Sequence, residues 1–175
     1  MLVLPATTAN AASTAKPKAP AATASCQPAS AMTRAQRDAL PDFRVCARGS
    51  GGATAPQLVQ PNITKVRSGS INFCNGNIVC FSTLFNFNSR NQIALSEVKL
   101  MDKLKDSRAV YADFTDNNGF LAEARNTKGA GTTSEWPLIV LDDPYGMKYF
   151  LVNIYACSTT CSSIKPSNRY YSDWW

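Results

Sequence analysis

From Ile63 to Cys157 the chain alternates short apolar runs with clusters of turn-forming residues, and this rhythm constrains the fold more than any other feature. Phe81, Thr83, Phe85 and Phe87 alternate with Ser82, Leu84 and Asn86, the period of a half-buried strand. Ile93 to Leu100, Ala109 to Phe114, Phe120 to Arg125, Trp136 to Leu141 and Met147 to Cys157 continue the series. Asn88-Ser89-Arg90-Asn91, Asp116-Asn117-Asn118-Gly119, Gly129-Ala130-Gly131 and Asp142-Asp143-Pro144-Tyr145-Gly146 separate them as turns. About seven short strands at this interval predict one all-β domain, a sandwich or small barrel.

The first residues are of another kind. Residues 1–25 hold Ala, Thr, Ser, Pro, Lys and Asn after a short Met1-Leu2-Val3-Leu4 start. They cannot bury enough apolar surface to offset the entropy of ordering them, so they read as a flexible arm. The order Leu2-Val3-Leu4, Pro5, Ala9-Asn10-Ala11 resembles the end of a cleaved secretory signal; a plain Ala-rich tail is the alternative. No apolar run approaches the ~18 residues that a membrane-spanning helix needs. Residues 26–52 form a second unit. Thr33 and Gln36 are placed as a capping box, predicting a short helix that ends before Pro41, and Gly49-Ser50-Gly51-Gly52 then serves as a link. The sandwich is expected over 63–161, with an aromatic tail over 162–175.

Six cysteines fall into three close pairs, Cys26/Cys46, Cys74/Cys80 and Cys157/Cys161. Local disulfides are the simplest arrangement and imply an oxidising, secreted or periplasmic compartment. Zinc is the rival, but only Cys157/Cys161 has the usual ligand spacing. Register sharpens the middle pair. A two-residue Asn75-Gly76 hairpin would put Cys74 and Cys80 on opposite faces of the ribbon. A loop from Asn75 to Val79 sets them directly opposite, within the ~7 Å between Cα atoms that a disulfide requires. The disulfide and the tight hairpin exclude each other, and the disulfide is expected.

Histidine is absent from the whole chain, which removes Ser-His-Asp and Cys-His catalysis and His-ligated metals together. No enzymatic activity, cofactor or metal is expected. In Asp113-x-x-Asp116-Asn117-Asn118-Gly119 a calcium loop would need an oxygen ligand where Phe114 stands, so this reads as a turn. The mixed charges from Glu97 to Asp106 read as a solvated strand end. Asn62-Ile63-Thr64 is a glycosylation sequon, relevant only in a eukaryotic secretory host. Of the net charge of +6, Lys16, Lys18, Arg34, Arg37, Arg44 and Arg48, set against Asp38 and Asp42, place +4 in the first fifty residues. That charge is too scattered to indicate a nucleic-acid arm.

Phe73-Cys74-Asn75-Gly76-Asn77-Ile78-Val79-Cys80, Phe85-Asn86-Phe87-Asn88, Asp106-Ser107-Arg108 and Asp116-Asn117-Asn118-Gly119 together resemble a family of secreted bacterial immunoglobulin-like domains. The likeness spans residues 66–157. It implies an immunoglobulin-like β-sandwich in an exported protein, and it implies no chemistry, because that family is mostly without known activity. The arm, the first cysteine pair and the tail depart from it.

The tail Arg169-Tyr170-Tyr171-Ser172-Asp173-Trp174-Trp175 carries four large aromatics that are costly to leave in water. They either pack back onto the domain or dock on a protein partner, for which Tyr170, Tyr171, Trp174 and Trp175 are the candidate contact residues. Two function classes follow. One is a non-catalytic secreted or periplasmic binding or accessory module, such as a subunit of an envelope assembly. The other is a self-assembling shell subunit, such as a small jelly-roll coat protein.

Overall fold

The computed structural model describes residues 27–46, 65–106 and 108–175. The expected arm, the Gly-rich link, the sequon and Cys26 lie outside the described residues.

A 3-10 turn, Ala29–Ala31, leads to helix α1, Arg34–Asp38. The capping box forms as expected: Gln36 N donates to Thr33 Oγ1 at 3.4 Å, and Thr33 N donates to Gln36 Oε1 at 2.9 Å. Eleven strands follow among the described residues: β1 Phe43–Val45, β2 Lys65–Val66, β3 Ser68–Asn75, β4 Val79–Ser89, β5 Gln92–Asp102, β6 Ala109–Asp116, β7 Gly119–Asn126, β8 Thr133–Asp142, β9 Tyr149–Cys157, β10 Lys165–Pro166 and β11 Tyr170–Ser172. The seven from β3 to β9 are long; β4 to β9 coincide with the six runs read from the sequence, and β3 is the strand that leads into the Cys74/Cys80 turn.

Two sheets face each other as a sandwich. One has the order β3-β4-β5-β8; the other runs β1-β7-β6-β9-β11-β2, with β10 also paired to β9. β5 and β8 pair antiparallel while the β6–β7 hairpin between them lies in the opposite sheet. The chain therefore crosses the core on both sides of that hairpin. Phe81, Phe87, Ile93, Leu95 and Leu100 fill the core from one sheet, and Val110, Ala112, Phe114, Val152 and Ile154 from the other. Phe81 and Phe114 meet edge to face across it, their ring centroids 5.8 Å apart. Each such side chain contributes about 1.5–3 kcal/mol on full burial.

The β3–β4 register sets Cys74 opposite Cys80, and they are joined as a disulfide with Cα atoms 4.1 Å apart. Gly76 takes a φ of 54° in the connecting turn, a conformation that glycine adopts at little cost. Cys157 and Cys161 are likewise joined. Cys46 is also disulfide-bonded. In β5 the buried positions shift parity between Leu95 and Val98. Glu97 adopts a φ of 53° there and makes a bulge opposite Thr83, whose hydroxyl donates to Ser96 O at 2.9 Å.

The tail is part of the sandwich rather than an appendage. β11 pairs antiparallel with β9 and parallel with β2, so residues 162–175 extend the larger sheet. Tyr170 packs on Phe85 at 4.8 Å between centroids, and Tyr171 meets Tyr149 at 5.6 Å.

Candidate functional site

On β6, β7 and β9 most of the residues that alternate with the core-facing ones are polar. Strand pairing lines up Tyr155, Tyr111 and Arg125 in one row, and Asn153, Asp113, Glu123 and Arg44 in the next. Alternation of this kind usually marks a solvated face. Here the segment 27–46 lies across it, and Tyr111, Asp113, Glu123 and Tyr155 retain at most 3 % exposure.

The cover is held by polar contacts. Ala29 N donates to Glu123 Oε2 at 2.8 Å, Arg44 Nε pairs with Glu123 Oε1 at 3.2 Å, and Ser30 N donates to the Tyr155 hydroxyl at 3.2 Å. The Tyr155 hydroxyl lies 3.0 Å from Asp113 Oδ1 and 3.3 Å from Glu123 Oε2. Burial, reinforced by the charge of Glu123 opposite, pushes the Asp113 carboxyl well above the usual carboxylate range. Burial likewise raises the Tyr155 and Tyr111 phenols. The result is a buried carboxyl pair capped by a tyrosine.

Next to it, where α1 meets the ends of β6, β7 and β9, a cleft of about 300 Å³ opens. Arg34, Arg37, Arg108 and Arg125 line it, with Asp38 and the ring of Tyr111. Tyr111 stacks on Tyr155 at 5.4 Å, which fixes that wall. Arg37 is 3 % exposed and reaches Ser158 O at 2.6 Å and Thr159 O at 3.2 Å, tying α1 to the Cys157–Cys161 loop. Arg125 is 8 % exposed; one of its nitrogens donates to Leu40 O, but its Nε has no acceptor. The two rim arginines hold carboxylates, Arg34 with Asp38 at 3.7 Å and Arg108 with Asp106 at 2.9 Å. Arg37 and Arg125 bond carbonyls instead, which accept hydrogen bonds without neutralising charge.

The residues singled out from sequence lie elsewhere. Among the described cysteines, Cys157 alone touches the cleft. Trp174 Nε1 donates to Phe87 O and Trp175 Nε1 to Met147 O, both at 3.0 Å. Arg67 covers Trp174 at 4.1 Å, and Arg90 covers Trp175 at 4.8 Å. Trp175 keeps 39 % exposure. Gly146 makes room for it: a Cβ there would fall 2.4 Å from the indole, and its φ of 88° already favours glycine. Packing back, the first of the two expectations for the tail, is therefore the arrangement seen.

The Asp116 loop is a turn, with Asn118 N donating to Asp116 Oδ1 at 2.7 Å, and Asp113 faces the covered side. Among the described residues no group of three or more His, Cys, Asp or Glu is placed to hold a metal ion. No described helix is long and apolar enough to cross a membrane. Sequence reasoning missed Glu123, Arg125, Tyr111 and Tyr155. The signal available was the polar register of β6 and β7, and a solvated face would show the same signal. No family model, curated protein or solved structure matches this chain.

Proposed function

We propose that this chain is an exported, non-catalytic binding or accessory module that holds an anionic group of its ligand in the arginine cleft under α1. One observation carries the reading: Arg37 and Arg125 are nine-tenths or more buried at the cleft wall without a carboxylate partner among the described residues. Buried guanidinium charge is expensive unless something negative meets it. The disulfides support an oxidising compartment, and with the sandwich they support the resemblance to secreted bacterial domains. A protein partner carrying the anionic group fits the same reading, with the exposed edge of Trp175 as a secondary contact.

The test is an NMR titration of the ¹⁵N-labelled full chain with citrate, sulfate and phosphate. Saturable shifts grouped on Arg34, Arg37, Arg108 and Arg125 are expected. Shifts scattered over the surface, or none, would overturn the reading.

A second reading, the self-assembling shell subunit, draws on the outer face of the smaller sheet, where Leu84, Leu138 and Val140 are exposed. Light scattering at rising concentration separates the two, since a shell subunit forms large particles and the module stays small.

A further inference from the structure

The charges around the cleft specify more than its sign. Four guanidinium groups, those of Arg34, Arg37, Arg108 and Arg125, face two carboxylates, Asp38 on Arg34 and Asp106 on Arg108. Two positive charges are left over, both on the buried walls. Arg125 also keeps an N–H without an acceptor, although it is more than nine-tenths buried. A buried donor left unmade is an unfavourable state that a ligand oxygen can relieve. Guanidinium groups bind oxyanions more tightly than neutral donors do; Arg37, whose terminal nitrogens donate to the Ala29, Met32, Ser158 and Thr159 carbonyls, contributes its charge, and the free N–H of Arg125 contributes a donor. The cleft lies near the lower end of ligand-pocket sizes, roughly 300–1,000 Å³, which suits one charged head group with a small attached moiety.

We infer that the cleft takes a doubly charged oxyanion, the phosphoryl group of a phosphomonoester. This rests on the reading of the cleft as an anion site and adds the charge state. The groups facing the ligand are Arg34, Arg37 and Asp38 from α1, Arg108 and Tyr111 at β6, Arg125 from β7 and the disulfide-bonded Cys157 from β9.

Calorimetric titration of the full chain with glycerol 2-phosphate, inorganic phosphate, sulfate and acetate tests it. A phosphomonoester takes its second charge near pH 6, so its affinity should rise about tenfold from pH 5 to pH 7. Sulfate is doubly charged throughout and should stay level, which reports any titration of the protein itself. Acetate should bind at least tenfold more weakly than sulfate. Glycerol 2-phosphate above inorganic phosphate assigns the ester as ligand, and the reverse order overturns that assignment.

Arg125→Gln should weaken sulfate binding about tenfold. Should that buried change prevent folding, Arg34→Gln at the exposed rim should weaken it several-fold, and Asp38→Asn should tighten it. Equal affinity for acetate and sulfate, or a phosphomonoester curve that is flat with pH, sinks the dianion while leaving an anion site. Absence of binding by all four probes sinks both.

Discussion

The outward faces of the two sheets reverse what is usual for a small sandwich. On the larger sheet the outward row Asp113, Glu123 and Arg44 is ionisable and buried under residues 27–46. On the smaller sheet the row Leu84, Ser96 and Leu138 lies open, with Leu84 at 45 % and Leu138 at 60 % exposure. Scattered exposed leucines are common, because polar surface is insufficient to cover a small protein. A buried row of ionisable groups is uncommon and has to be paired. The difference shows what attaches the N-terminal segment. Its contacts are directional, from Ala29 N, Ser30 N and Arg44 onto Glu123 and Tyr155, so they set one register for the cover. Apolar contact alone would allow it to slide.

The sharpest way to break this contrast is to remove the acceptor at its centre. Glu123→Ala leaves Arg44 Nε and Ala29 N without their carboxylate, while the Tyr155 hydroxyl keeps only Asp113. Breaking a buried ion pair from one side costs about 3–5 kcal/mol, and urea unfolding should show a loss of that size. If the loss stays under about 1 kcal/mol, the cover is not held by this cluster.

The seam between the sheets should respond next. Trp174 is half-buried, bonded to Phe87 O and stacked under Arg67. Full burial of an aromatic is worth ~3–5 kcal/mol on truncation, so Trp174→Ala should cost about 2 kcal/mol. An unchanged midpoint would free the tail for a partner and restore the docking expectation.

Asp113 ties the covered face to pH. Its native carboxyl holds its proton well above the ordinary value of 3.8, so above about pH 4 the folded state binds more protons than the unfolded chain. Its contribution to stability is complete at lower pH and is lost as pH rises through the raised native value. Asp113→Asn keeps a donor toward Glu123 and removes the titration. At pH 7 the variant should be more stable, by about 1–2 kcal/mol if an unfavourable buried charge is what is removed, with a flatter pH profile. A wild-type stability that rises from pH 4 to pH 7, with no change in the variant, would contradict the assignment.

The smallest effect belongs to the open face. Leu138→Thr alters an exposed strand position and should stay within about 0.5 kcal/mol. A larger loss would mean that this face is covered in solution, and the size of the particle by light scattering would then decide whether a second copy covers it.

Much of the architecture is legible in the residues themselves. The alternation Phe81, Thr83, Phe85, Phe87 sets the buried face of β4, and Thr33 with Gln36 marks the start of α1. Strand register shows that a Cys74–Cys80 disulfide and a two-residue Asn75-Gly76 turn exclude each other, and the disulfide, the one expected, is the one seen. Each depends on contacts a few residues apart, whose geometry the backbone repeat dictates. The cover and the cleft are decided otherwise. Period two in Tyr111-x-Asp113 and Glu123-x-Arg125 says which side chains share a face, and it is silent on what lies over that face. The contacts that answer this join Ala29 to Glu123 and Arg37 to Ser158, across 94 and 121 residues of chain. The direction of the tail after Pro166 is settled in the same way, by indole bonds from Trp174 to Phe87 O and from Trp175 to Met147 O. Local pattern determines the strands because neighbouring residues share one geometry; burial of a charged face depends on donors that only the completed fold brings within reach.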